Sequence, residues 1–500
     1  MAPTSKPKRR HSRSARKRPS KKNKVDKTQP LRFSLLPTEM RATVVDNMFA
    51  VGGRRLLRDF SVTSRDSRDL AQKELYREIN IQYEVELCHL TRSLIENPHL
   101  RKLIHTVRLN ANYWCFRRHD ARRIFREWPN APIDESHLSQ SDRQLLILLR
   151  SFCSDRPSDN IQCVFGLFLF LIDQTKHVAL DIGYDWGLLD NFLAAGLAST
   201  SSTSPNLGTA LLPAMKTLDL ATKHYLQKAV RTIQAEPYHP FKTLTASIHL
   251  RKFTFTGDMD RWSNLDAIDP GMKLPFTTVN LVASSCTAST LSKFLRHCPD
   301  LQCLDVISQG YNSDVDTNEC LNTILTKFCP QIRELSLRNG GRSRDFFRSS
   351  ATHTITCLPE MTNLKELRME VDAFFVRGSD ISTFRLPNKL PDQLEKLFLD
   401  CSFALTHFPF NMHYTRMTAR SPEAIAYRQA VDNMIQAICK TREDRFPRLN
   451  TIVIGAKWVA PVQWTRIANK ALCKTGARIK VTSSKDIQKL WTCSWDAMKV

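Results

Sequence analysis

Residues 291–306 read LSKFLRHCPDLQCLDV, and residues 321–337 read LNTILTKFCPQIRELSL. Each begins with apolar residues at helical spacing, Leu291, Phe294 and Leu295 in the first and Leu321, Ile324 and Leu325 in the second. Each then carries Cys-Pro, at Cys298-Pro299 and Cys329-Pro330, followed by an alternating run, Leu301-x-x-Leu304-x-Val306 and Ile332-x-x-Leu335-x-Leu337. The unit they define is helix, turn, short strand.

Working outward, the same apolar trio recurs at Met215-Leu218-Leu220, Leu250-Phe253-Phe255, Phe276-Val279-Leu281, Leu364-Leu367-Met369, Leu394-Leu397-Leu399 and Leu449-Ile452-Ile454, with an early copy at Ile104-Val107-Leu109. A chain that is 42% hydrophobic meets such a loose template often by chance, so the number of copies decides nothing. Spacing decides more. Successive copies from Leu250 to Leu394 lie 26, 25, 31, 32 and 30 residues apart, and prolines sit two positions ahead of four of the copies, at Pro213, Pro299, Pro330 and Pro447. A fixed period is the signature of stacked repeats, each burying its strand against its neighbours. An ordinary α/β domain with parallel strands produces the same alternation and remains the competing reading.

The remaining elements are read around this array. Leu87, Leu90, Leu94 and Ile95 predict a helix ending near Pro98, and Gln144 to Phe152 predict a buried one. Residues 110–142 are irregular and carry Trp114 and Trp128, and Arg156 to Asn160 reads as a loop. The polar run Ser199 to Ser204 is expected to mark an internal boundary. Between Leu399 and Leu449 the period is broken. There Ser421-Pro422-Glu423 opens an inserted helix reaching about Lys440, with Ile425, Val431, Ile435 and Ile438 on its buried side, behind a Phe- and His-rich exposed loop at 403–418. A helix from Pro461, a strand around Ile479 and Val481, and a closing helix with Trp491 and Trp495 cap the array.

Ahead of the array stands Leu35 to Asn80. Leu36, Met40, Val44 and Met48 recur every four residues behind Pro37, with Val45 and Phe49 beside them, so one helical face is apolar. Gly52 and Gly53 break that helix; Leu56, Leu57, Phe60 and Val62 form a second apolar group, and Leu70, Leu75, Tyr76 and Ile79 a third. The run Leu36-Pro37-x-Glu39-Met40-x-x-x-Val44-x-x-x-Met48, with Leu75-Tyr76-Arg77 at its end, resembles the F-box common in fungal proteins. The array behind it is similar to the irregular leucine-rich repeats that follow F-boxes.

That resemblance implies an α/β chain: a basic tail over 1–30, a three-helix F-box-like domain over 31–80, and over 81–500 a leucine-rich-repeat-like solenoid with parallel strands on one side, helices on the other, and a helical insertion near 403–447. It further implies a non-catalytic, substrate-recognition subunit of a cullin-type ubiquitin ligase. Leu36, Pro37, Met40, Val44 and Met48 would meet a Skp-type adaptor that brings the cullin, and the repeats would hold a client protein. Strand residues lying between the buried ones, Asp219, Thr254, Asn280, Asp305, Ser336, Arg368 and Phe398, form the candidate client-binding ladder; any one of them could equally be a solvated position. The aromatic loop at 403–414 is a second candidate, because exposed aromatics anchor interfaces.

The net charge of +24 is concentrated at the start, where residues 1–30 hold a single acid, Asp26, and almost no apolar side chains. Such a segment is expected to be disordered. Its clusters Lys8-Arg9-Arg10, Arg16-Lys17-Arg18 and Lys21-Lys22 resemble a bipartite nuclear import signal. The same run suits non-specific phosphate neutralisation, which supports an alternative reading as a nuclear scaffold or chromatin-associated protein. A mitochondrial transit peptide shares the composition, but the tail lacks an apolar stripe.

Other chemistries find little purchase. The 14 cysteines show no C-x-x-C pair or ligand-spaced Cys/His cluster, which argues against a zinc site, and fit reduced thiols of the cytosol or nucleus. No cofactor is implied. The longest apolar run, Cys163 to Ile172, is too short to span a bilayer. Gly340-Gly341-Arg342-Ser343 lacks the lysine and spacing of a P-loop, and no G-x-S-x-G turn occurs. Cys298 and Cys329 read as structural thiols at a repeated turn rather than nucleophiles.

Overall fold

In a computed structural model the chain divides into two compact units, Met1–Leu75 and Tyr76–Val500. The structure describes residues 36–110, 139–155, 160–182, 211–222, 249–259, 273–308, 321–339, 355–370, 386–400, 444–456 and 478–483, with scattered positions at 192–198, 271, 374 and 433–442. The basic tail, the Trp-bearing stretch 111–138, the 403–418 loop and the closing helices lie outside the described residues.

In the first unit, α1 runs from Thr38 to Ser61 and α2 from Arg65 to Arg77, the latter crossing into the second unit. Pro37, expected at the first helical position, stands instead one place ahead of it, as the residue before Thr38, and its carbonyl accepts the opening helical bond from Arg41 N at 3.0 Å. The expected break falls at Gly53, whose φ of 59° and ψ of −156° leave the helical region. Gly52 is needed for a different reason: a Cβ there would lie 2.6 Å from that of Leu56. Ser64 opens α2, its Oγ accepting from Ser67 N at 3.1 Å, as a helix N-cap does. Among the described residues of this unit, Val45, Leu57, Ser67 and Ala71 are buried.

The second unit is α/β, built on one parallel sheet whose twelve strands lie in chain order. They are β1 Glu78–Ile81, β2 Thr106–Asn110, β3 His177–Ile182, β4 Thr217–Thr222, β5 Lys252–Asp258, β6 Thr278–Ser285, β7 Cys303–Ser308, β8 Glu334–Asn339, β9 Glu366–Glu370, β10 Lys396–Asp400, β11 Thr451–Ala456 and β12 Arg478–Ser483. Between them run α3 Glu84–Glu96, α4 Gln140–Asp155, α5 Asn160–Leu171, α6 Ala288–Leu295 and α7 Leu321–Phe328, besides short 3-10 turns at Pro98–Leu103, Leu358–Glu360 and Leu386–Lys389. The long apolar run is therefore a helix, α5, with Val164, Phe165, Phe168 and Leu169 fully enclosed.

The second and third residues of every apolar trio fall on a strand, with the first just ahead of it, and the trios align from strand to strand. Leu218 faces Phe253, Phe253 faces Val279, Val279 faces Leu304, and so on through Leu335, Leu367, Leu397 and Ile452 to Ile479. The turn ahead of each strand repeats as well. The first residue of the trio donates its N–H to the carbonyl three positions earlier: Ile104 to Arg101, Met215 to Leu212, Leu301 to Cys298, Ile332 to Cys329, Leu364 to Met361 and Leu449 to Phe446. Pro213, Pro299, Pro330 and Pro447 occupy the second place of that turn, where a fixed φ is favourable. Side chains tie one turn to the next. Asn363 Nδ2 donates to the Pro330 carbonyl at 3.2 Å, Gln331 reaches the Pro299 carbonyl, and Asn322 Oδ1 accepts from the N–H groups of Thr356 and Cys357.

Several expectations need correction. Ile79 belongs to β1 rather than to the third helix, because Ile79 and Ile81 alternate into the core beside Val107 and Leu109. Ser199–Ser204 is no domain boundary, since β3 and β4 pair directly across that interval. Asn160 opens α5 instead of closing a loop. β3 escaped the apolar template because Thr175 fills the first position; it is fully buried and donates its hydroxyl to the Ile104 carbonyl at 3.3 Å. Of the inserted helix, described positions among 433–442 are helical and Met434 and Ile438 are buried; Ile425, Val431 and Ile435 lie outside the described residues or side chains.

Candidate functional site

Two surfaces carry the residues singled out from the sequence. On α1 the apolar row is only half enclosed. Leu36, Val44 and Met48 are half-buried, Pro37 is exposed, and Met40 keeps 54% of its surface open to solvent. Phe49 and Val51 are exposed close by. Val45, one position round the helix, and Leu57 further along it are the described α1 residues that are buried. Large apolar side chains left in water on one helix are a feature of interaction surfaces.

The second surface is the polar face of the sheet. Asp219, Thr254, Asn280, Asp305, Ser336, Arg368 and Phe398 occupy one cross-strand row on seven successive strands, each directly opposite the next. The row continues to Val453 and Lys480 at one end, and to Ala179, Arg108 and Asn80 at the other. Two of the seven are not available for contact. Thr254 and Ser336 are buried, being short side chains between longer neighbours in the row.

From β7 to β11 the face is an ion network. Arg338 grips both carboxylate oxygens of Asp305, at 2.7 and 3.0 Å. Glu366 accepts from Arg368 Nε at 2.7 Å and from Lys396 Nζ at 3.0 Å. Burial pushes the Glu366 carboxyl upward, but Arg368 and Lys396 outweigh it and hold it below the usual carboxylate range. The Arg368 guanidinium also lies 4.9 Å from the ring centre of Phe398, which packs on Val453. From β4 to β6 the row is neutral or singly charged, with Asn280 Nδ2 donating to Thr254 Oγ1 at 3.4 Å. Beside it His177 Nδ1 lies 3.1 Å from Thr217 Oγ1; desolvation lowers the imidazole, and Lys176, Lys216 and Lys252 lower it further against the pull of Asp219.

The repeated cysteines stack inside. Burial pushes the Cys298 thiol well up, with Cys329 beside it adding to the shift, and burial with Cys357 near takes Cys329 to about 12. Such thiols stay protonated and unreactive. Among the described residues no group of His, Cys, Asp or Glu could hold a metal ion, and no helix is long and apolar enough to cross a membrane. Lys8, Arg9, Arg10, Arg16, Lys17, Arg18, Lys21 and Lys22 of the tail lie outside the described residues. No protein-family model matches the chain, and no curated protein is similar to it.

Proposed function

We propose that the chain is the substrate-recognition subunit of a cullin-type ubiquitin ligase. Residues 31–80 act as an F-box that docks on a Skp-type adaptor, and the parallel sheet is an irregular leucine-rich-repeat solenoid that holds a client. The observation that carries the first part is the open apolar row of α1, with Met40 more than half exposed and Leu36, Val44 and Met48 half-buried. Fully burying such side chains is worth about 1.5–3 kcal/mol each, enough in sum for a stable complex. For the client, the favoured contact is the Arg368–Phe398 pair with its ionic neighbours, because Arg and aromatic side chains dominate binding energy.

Co-purification tests it. Leu36→Ala with Pro37→Ala removes the adaptor from the purified complex while the far-ultraviolet spectrum and melting temperature hold. Undiminished adaptor recovery removes the proposal. Arg368→Ala with Phe398→Ala leaves adaptor recovery intact and loses the client.

A further inference from the structure

The residue just ahead of each strand forms a ladder of its own along the leading edge of the sheet. Its rungs are joined by backbone bonds: His105 N donates to the Arg77 carbonyl at 3.0 Å, Lys176 N to His105 at 3.0 Å, Lys216 N to Lys176 at 2.8 Å and Arg251 N to Lys216 at 3.0 Å. Thr277 and Gln302 continue it at 2.9 Å each, and then Arg333 at 2.7 Å and Lys365 at 2.8 Å. From Arg77 to Lys365 no rung is acidic, and every Lys, Arg and His among them is exposed.

Neighbouring rungs sit about 4.8 Å apart, so like charges are held side by side, an arrangement that opposes folding. The His177 imidazole is lowered chiefly by desolvation, and Lys176, Lys216 and Lys252 add to that against the pull of Asp219. Of the acids nearby, Glu78 is bound to Arg108 at 3.2 Å and Glu366 to Arg368 and Lys396, which leaves Asp173, Asp219 and the exposed Glu334 against the six Lys and Arg rungs. At the far end the edge closes into a cleft of about 350 Å³ lined by Arg333, Thr362, Asn363, Lys365, Gln393 and Arg448. The ladder does not stay basic there: its next rung is Glu395, whose N–H donates to the Lys365 carbonyl at 2.7 Å and whose carboxylate accepts from Lys365 Nζ at 2.8 Å, so the basic run ends at Lys365.

We propose that this leading edge, from Arg77 to Lys365, is a binding track for the sugar-phosphate backbone of a nucleic-acid duplex. Five basic rungs in succession, Arg77 to Arg251, are followed by the hydroxyl and amide of Thr277 and Gln302 and then by Arg333 and Lys365; Lys, Arg, Thr and Gln are side chains that contact phosphate. No rung carries an aromatic side chain, as stacking on single strands requires, and none carries the apolar anchor of a protein interface. The track extends over roughly 38 Å, about one turn of duplex. It is separate from the basic tail and independent of the adaptor reading.

The test is fluorescence anisotropy of a random-sequence 20-base-pair duplex with the full chain across a salt series. Lys176→Gln, Lys216→Gln and Arg333→Gln together should weaken binding at least tenfold and reduce the salt slope by about 2 to 3. Removing as many cations from α2, by Arg65→Gln, Arg68→Gln and Lys73→Gln, should leave both nearly unchanged. In the unaltered chain, the duplex should also protect Lys176 and Lys216, but not Lys73, from acetylation. If affinity and slope survive in the edge variant and vanish only when Lys8, Arg9 and Arg10 are neutralised, the tail is the site and the proposal is overturned. It is equally overturned if an acidic peptide protects Lys176 and Lys216 while the duplex does not, which would assign the edge to a protein partner.

Discussion

Glu84 and Glu366 place opposite pH dependences in one chain. Burial at the start of α3 lifts the Glu84 carboxyl to about 7, so its contribution to stability is full below the ordinary carboxylate range and lost as pH rises through 7. Glu84→Gln should therefore raise the melting temperature at pH 8 and change little at pH 4. Glu366 is held low by Arg368 and Lys396, so its contribution is present above the ordinary range and lost as pH falls through the depressed value. Glu366→Gln should lower the melting temperature at pH 7, with the difference closing in acid; thermal melts of both variants across pH read the two signs. The thiols give a third outcome. Mass-spectrometric mapping with a thiol reagent should find Cys298, Cys329 and Cys357 unlabelled in the native chain and labelled together on unfolding, because all three are buried and burial keeps Cys298 and Cys329 protonated. The cysteine stack was legible in the sequence from the Cys-Pro copies at 298 and 329. Thr175 was not, since only the neighbouring strand supplies the Ile104 carbonyl that allows a hydroxyl at an apolar position.

At the scale of the element, the strand positions were readable because side chains alternate with period two and the turn ahead demands a local hydrogen bond. Pro213, Pro299, Pro330 and Pro447 mark that turn in the sequence. β1 was harder: Tyr76, Ile79 and Ile81 fit the same trio, yet Tyr76 also closes α2, and local periodicity alone cannot say where a helix hands over to a strand. The ladder residues could be named but not their burial, which depends on the lengths of their cross-strand neighbours. Each trio is enclosed between the trios on either side, so Leu335→Ala should cost about 2–5 kcal/mol in denaturant unfolding. Gly53→Ala should cost about 1–2 kcal/mol, since a side chain there opposes a φ of 59°.

For the whole molecule, parallel strands in unbroken chain order mean that, among the described residues, each strand pairs with its neighbours in the sequence. Stability of such an array is a sum of neighbour terms, and it leaves one long polar face and one long edge for binding. The sequence period pointed to that order; it did not reveal the basic edge, whose residues are scattered from Arg77 to Lys365 and meet only once the strands are registered. The ligase reading rests on α1, whose apolar row is larger than its own unit encloses. The most direct measurement is hydrogen exchange on the purified full chain with and without a purified Skp-type adaptor. The account predicts a complex in which amides of residues 38–50 slow markedly while the strands exchange as before. Absence of a complex, or protection confined to the sheet with α1 unchanged, would contradict it.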